Sequence, residues 1–304
     1  MEINTSLPFR HLVLALLTVL IWGVNFIAIY VGLKDFPPFL FCAIRFGLSA
    51  LPLVFFLPRP KAPLKFILAY GILNFALQFG LLFSGIHMGL SPGLASLVMQ
   101  IQVFFSIGLA FVFFAERPGF LKITGSLVSF IGLGIVALNL NADATLTGLL
   151  LTLLASLSWA AGNMFTKKVN AASPLSLVVW GNLVAFPFMA AASFIVEGSS
   201  AIAGSFHTIS WETAAAVAFV VYVSTHVGYG IWGYLLKSYP TSVVVPYTLL
   251  IPIVGFISSA LFLNESLNSW KLWASLFIMG GLLFNLFEKQ IGKLLTGLKN
   301  TDRL

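Results

Sequence analysis

The residues able to do chemistry in this chain are few and widely spaced along apolar sequence. Arg45 stands inside a long apolar run with no acidic residue at similar depth. A lone charge there costs at least ~2.5–3.5 kcal/mol on insertion scales. Two readings follow: the cation attracts the carboxylate of an amino-acid-like solute in a wet cavity, or it is an architectural arginine held by backbone carbonyls. Trp22 and Asn25 are three apart, and Trp159 and Asn163 four apart, so each pair shares one helix face. Their amides could hold the ammonium or carboxylate of a zwitterion between indole walls, or they could glue helices together. Asn74 and Gln78 share another face. Gln100 and Gln102 lie ~200° apart on a helix, so one of them, Gln102, is taken as facing the same interior. Tyr222, His226, Tyr229 and Gly233 follow at helical spacing. His226 is the candidate for proton coupling, because an unperturbed imidazole titrates near ~6.5; the alternative is a histidine that only hydrogen-bonds a neighbour. Pro246 and Pro252 each free a carbonyl, giving hinges, gating bends or plain packing kinks.

The nine acids, Glu2, Asp35, Glu116, Asp143, Glu197, Glu212, Glu265, Glu288 and Asp302, all fall in loops or near the ends of apolar runs. No buried carboxylate is therefore expected as a proton or sodium relay, and any coupling falls to histidine or to the solute's own protonation. A single cysteine, Cys42, excludes a disulfide framework and a cysteine-based metal site. No metal-ligand cluster and no cofactor motif is present. Two motif matches are traps. Gly228 to Gly233 fits G-x-G-x-x-G, with no strand before it. Gly89 to Gly93 fits G-x-S-x-G around Ser91, which makes an intramembrane serine protease the rival from another class, with His87 or His226 as base. Pro92 beside the serine suits a helix start better than a nucleophile elbow.

These residues must be positioned by membrane helices. Of 304 residues 59% are apolar and 8% charged, too few charges to coat a soluble particle, where about 25% is usual. The net charge of +7 forms no basic stripe, so nucleic acid is not a partner. A bilayer core of ~30 Å needs about 20 apolar residues as helix, and lipid offers no partner for an open backbone. Ten runs qualify: 11–33, 37–57, 64–86, 92–114, 120–140, 146–167, 174–196, 212–236, 240–263 and 269–288. The first lacks a cleavage site and reads as a retained span. With the N-terminus cytoplasmic, 13 Lys and Arg lie inside and two, Lys34 and Lys271, outside; the positive-inside rule then puts both termini in the cytoplasm. Beyond 290, Ile291, Leu294, Leu295 and Leu298 form one apolar face with lysines opposite. That tail reads as a basic amphipathic helix on the inner leaflet, or as an extension of the last span.

The halves echo each other. Phe113, Glu116, Lys122, Ser126, Gly132 and Leu133 recur as Phe262, Glu265, Lys271, Ser275, Gly281 and Leu282, all 149 positions on. Five spans per copy is odd, so the second copy enters the membrane inverted, as in secondary transporters. The expected fold is thus an all-α integral membrane protein of ten transmembrane helices, in two inverted repeats at 1–142 and 143–290 with a tail at 291–304.

Trp22 to Phe26, Arg45–Phe46, and Glu116 with its echo Glu265 resemble the drug/metabolite transporter superfamily, and within it the EamA-like ten-helix permeases. Gly93 to Val98, Ser158 to Ala160 with Gly162–Asn163, and Val227 to Gly233 are similar to bacterial exporters of cysteine and O-acetylserine, with one departure at His226, where those exporters carry an apolar residue. The resemblance implies a carrier in the bacterial inner membrane, monomer or homodimer, with a small-molecule substrate. It would export amino-acid-related metabolites, with broader drug or aromatic efflux as the alternative.

Overall fold

The computed structural model describes residues 7–115, 117–141, 144–169, 173–207, 209–239 and 241–287. Its long helices, in order, are α1 (Phe9–Gly32), α2 (Pro38–Val54), α3 (Leu64–His87), α4 (Pro92–Phe113), α5 (Phe120–Leu138), α6 (Leu146–Val169), α7 (Pro174–Glu197), α8 (Trp211–Ser238), α9 (Val245–Leu263) and α10 (Ser269–Leu286). A short helix, Ser199–His207, joins α7 to α8. Among the described residues there is no strand, only two isolated bridge pairs. Eight of the helices are long and apolar enough to cross a bilayer; α2, with 17 residues, and α10, whose first turns carry Trp270, Lys271 and Trp273, fall short of that measure. The tail expected to lie on the inner leaflet falls outside the described residues.

The helix starts follow from local chemistry. Pro38, Pro92 and Pro174 occupy first-turn positions, where a missing N–H costs nothing. Ser91, Ser173 and Ser210 accept from the backbone N–H three residues on, each satisfying one otherwise orphaned donor.

Several helices change their winding partway. In α3 the stretch Ile72–Leu77, and in α8 the stretch Phe219–Gly228, are π-helical. In α4 Met99–Ile101, and in α9 Val245–Leu250, are 3-10. The π stretch of α3 and the 3-10 stretch of α4 thus recur five helices later, whereas the π turn Ser193–Glu197 that ends α7 has no counterpart in α2. The ending of α4 recurs in α9 as well: Ala115 and Asn264, residues 149 apart, are the non-glycine residues with positive φ among the described residues, at 54° and 53°. A left-handed alanine costs roughly 1–2 kcal/mol, so its presence marks a constrained turn.

Helix pairing obeys the same rule. α5 packs on α10, α2 on α7, α1 on α9, and α6 on α4. The α5–α10 contact is built from small residues. A Cβ on Gly125 would come within 2.5 Å of the Gly281 carbonyl, and one on Gly132 within 2.7 Å of the Ala274 carbonyl. Close approach lets backbones gain dispersion contact that lipid cannot supply. Between these two contacts the Ser129 hydroxyl donates to the Ile278 carbonyl at 2.9 Å, again across 149 positions. Elsewhere the core is aromatic: Phe41, Phe46, Phe75, Phe79 and Phe83 interlock through ring contacts of 5.0–6.3 Å between α2 and α3. Leucine, isoleucine and phenylalanine cover the flanks, as on Leu127, Ile131, Leu272 and Leu276, as expected where the surroundings are hydrocarbon.

Candidate functional site

Arg45 is 2% exposed. Its guanidinium lies over the face of Phe79, 3.8 Å from the ring centroid, with Phe46 and Phe83 at 5.7 and 5.9 Å. Nη2 donates to the Thr225 hydroxyl at 3.4 Å. The Thr225 hydroxyl in turn donates to the Val220 carbonyl five residues back, within the π-helical stretch of α8. The other terminal nitrogen, Nη1, is buried and has no partner. No described carboxylate pairs with this cation. A stacked aromatic face recovers about 2 kcal/mol of a desolvated cation's cost, and one long hydrogen bond adds little. The arginine is therefore held but under-satisfied, with free donors directed into the interior.

Around it α8 contributes unequally to its neighbours. His226 Nε2 donates to the Ser49 carbonyl of α2 at 2.9 Å. Because a carbonyl only accepts, Nε2 carries the hydrogen and Nδ1 remains available. Tyr222 is half exposed, its ring 5.8 Å from that of His226. Tyr229 turns to α1 and meets Trp22 at 5.2 Å, and Trp232 joins from the same side at 5.4 Å. Trp22 Nε1 donates to the Ser224 carbonyl at 3.3 Å. This close approach requires Gly228, whose Cβ would lie 2.7 Å from the indole nitrogen. Gly233 sits against Pro174 of α7. The spacing of 222, 226, 229 and 233 describes one face of an α-helix, whereas the π winding through Gly228 spreads these residues over α2, α1 and α7.

Asn25 and Asn74 are buried, and each has an amide atom without a partner, Oδ1 of Asn25 and Nδ2 of Asn74. Asn74 abuts Gly162 of α6, where a Cβ would come to 2.3 Å from Nδ2. Gln78 is buried one turn on. Trp159 and Gln102 are half-buried, and Asn163 is exposed. Pro252 is buried at the start of the α-helical part of α9. Pro246 lies in its 3-10 stretch and lines an apolar hollow of about 380 Å3 with Tyr247, Leu250, Met279, Leu283 and Phe287. The structure thus brings Arg45 and His226 to one junction of α2, α3 and α8, sets Trp22 and Tyr229 beside it, and puts Asn74 on α6.

Several residues escaped the sequence reading. Thr225 and Ser49 support Arg45 and His226 from positions that carry no charge and no motif. Asn182 in α7 is 1% exposed with both amide atoms unpartnered; an asparagine in an otherwise apolar run was the available signal. The expectation of no buried carboxylate is corrected by Glu265, whose side chain is 5% exposed and paired with the fully buried Lys271 at 2.9 Å. Its position at a helix end concealed this, because its partners on α4 lie 174 residues away. The same contact occupies the serine of the protease rival. Ser91 Oγ donates to Glu265 at 2.6 Å and caps α4, while His226 is committed to Ser49. Gly228 to Gly233 is helical throughout, so the G-x-G-x-x-G match forms no phosphate-binding turn between a strand and a helix.

Comparison with known proteins agrees with this architecture. The model of the EamA-like transporter family matches residues 10–138 and again 146–287. A protein of Salmonella typhimurium and one of Escherichia coli K12, both called "Probable amino-acid metabolite efflux pump", are each 42% identical over 281 residues, covering 90% of this chain and 94% of their own. A solved crystal structure, 16% identical, superposes over 91% of this chain and 96% of its own with a TM-score of 0.61; at that identity the likeness speaks for the fold alone.

Proposed function

The chain belongs to the EamA-like transporter family, and from that premise we propose that it exports small amino-acid-related metabolites, of the cysteine and O-acetylserine kind, across the bacterial inner membrane. It is a membrane transporter of this type, and two relatives 42% identical to it carry the name "Probable amino-acid metabolite efflux pump". In the proposed arrangement ten helices cross the bilayer as two inverted five-helix repeats, residues 1–142 and 143–290, with both termini cytoplasmic. Transport proceeds by alternating access as one repeat rocks against the other. The recurrence of π and 3-10 breaks five helices apart, and the pairing of residues 149 apart at α5–α10, support this reading.

The observation that carries the substrate class is the buried Arg45 with its free Nη1. A planar guanidinium with unpaired donors matches the geometry of a carboxylate. Asn25, also with an unpaired atom, supplies an acceptor suited to an ammonium group. A zwitterion bears no net charge, so the membrane potential gives it no push. Net export against a gradient then draws on exchange with a proton, for which His226 has a free Nδ1; efflux down a cytoplasmic gradient needs none. A second reading, export of aromatic solutes, is favoured by the Trp22, Tyr229 and Trp232 cluster.

Purified protein in liposomes loaded with labelled cysteine, O-acetylserine, phenylalanine and a cationic dye separates these readings. Release of cysteine and O-acetylserine is expected. Release of the dye alone would remove the amino-acid assignment.

A further inference from the structure

One end of the molecule is held together by carboxylates that reach across the chain. Asp35, after α1, accepts from the Ser210 N–H and hydroxyl at 2.8 and 2.6 Å, at the start of α8. Glu197, at the end of α7, accepts from the Phe39 and Leu40 N–H groups at 2.6 and 2.9 Å, at the start of α2. Glu265, just past α9, accepts from the Ser91 hydroxyl at 2.6 Å, the Gly93 N–H at 3.2 Å and Lys271 Nζ at 2.9 Å. At the opposite end Ser176 donates to the Pro58 carbonyl and Trp180 to the Leu57 carbonyl.

Glu265 differs from the other two in what it grips. The segment Pro92–Val98 is a seven-residue helix, wholly buried, and joins the rest of α4 through the 3-10 turn Met99–Ile101. A 3-10 stretch inside a longer helix commonly marks a hinge. Glu265 holds the N-terminal tip of this arm, and holds it so closely that a Cβ on Gly93 would come within 3.0 Å of its Oε2. The pair with Lys271 is also suited to a gate. A dry, paired and hydrogen-bonded ion pair persists, but removal of one partner strands a charge, whereas the same pair in water attracts only weakly. Opening that admits water therefore dissolves the grip all at once.

We propose that Glu265 is the latch of the gate at this end, the extracellular one in the orientation above. It holds the Pro92–Val98 arm closed over the polar interior, and the Ser91–Glu265–Lys271 contacts break and reform in each cycle as the arm swings about Met99–Ile101. The inference rests on the alternating-access reading. Its test reports gate opening without any substrate. Ser96, fully buried one turn below the tip and against Gly255, is changed to Cys in a Cys42→Ser background, and reaction with a membrane-impermeant maleimide is timed on intact cells. Glu265→Gln should speed labelling about tenfold or more. So should Glu265→Gln with Lys271→Met, which leaves no stranded charge and remains folded by thermal melting. Glu265→Asp, which keeps the charge, should stay within about threefold of the parent. A folded double variant that labels at the parent rate would overturn the latch. Accelerated labelling in a protein that exports none of the four test solutes would support the latch and place the failure in the assignment of substrate.

Discussion

Replacing Arg45 by methionine separates a binding cation from an architectural one, because the two roles predict opposite things about stability and transport. On the stability side the substitution removes a charge whose burial at membrane depth costs ~2.5–3.5 kcal/mol. It forfeits the Phe79 stack, about 2 kcal/mol for a desolvated pair, and a 3.4 Å bond to Thr225 that contributes at most about 1 kcal/mol. These cancel to within about 1 kcal/mol, and methionine, unbranched and of similar length, fills most of the space beneath Phe79. Arg45→Met should therefore melt in detergent within a few degrees of the parent. On the transport side, truncating one partner of a buried charge-assisted contact costs about 2–5 kcal/mol, which is roughly a thirtyfold or greater loss in cysteine efflux. Liposome efflux and a thermal-shift assay on the same preparation measure both quantities, with cationic-dye release as an internal comparison. A variant that melts far below the parent yet exports cysteine at the parent rate per folded molecule would refute the binding role and leave Arg45 as a brace.

Three further substitutions probe the rest of the structure. Gly281→Leu drives a side chain into the Gly125 carbonyl, which an ideal Cβ already approaches to 2.2 Å; with backbone on the far side nothing flexible can yield, so little folded, monodisperse protein should survive gel filtration. His226→Gln, retaining a donor for the Ser49 carbonyl but no titratable nitrogen, should leave efflux insensitive to an imposed pH step; an unchanged response removes the histidine from coupling. The Ser210 hydroxyl, then the Ser210 N–H and Thr213, hold the Asp35 carboxyl below its ordinary 3.8. Stability from a lowered carboxyl is fully present above the unfolded value and lost as pH falls through the folded one, so melting temperature should drop below about pH 4, and Asp35→Asn should flatten that drop.

Helix lies over each of the ten apolar runs read from the sequence because hydropathy, summed over 20 residues, reports the solvent rather than any neighbour. Winding within a run is another matter. Pro246 foretold the break in α9, but Met99–Ile101 contains neither proline nor glycine, and the π stretch of α8 contains no proline and a glycine only at its last position. That stretch decides where His226 and Tyr229 point, so an α-helical projection could not assign their neighbours. The glutamate at position 265 was visible as one member of an echoed Glu–Lys pair, yet its burial depends on Ser91 and Gly93, brought to it by tertiary packing that no local pattern encodes. Arg45 and the asparagines were legible because a polar group in hydrocarbon is costly wherever it sits.

The contact of α5 with α10 has a consequence for assembly. Gly125 meets Gly281 while Gly132 meets Ala274, and Ser129 meets Ile278 on what amounts to a local dyad. Such a surface is self-complementary in the sense of an isologous dimer: each half presents the shape that it also accepts. In the inverted arrangement proposed above that dyad lies in the membrane plane, so a half-molecule severed after Leu138 would meet a second copy in this way only if that copy entered the bilayer upside down. The single chain, with five spans in each copy, delivers the second surface already inverted and at high local concentration.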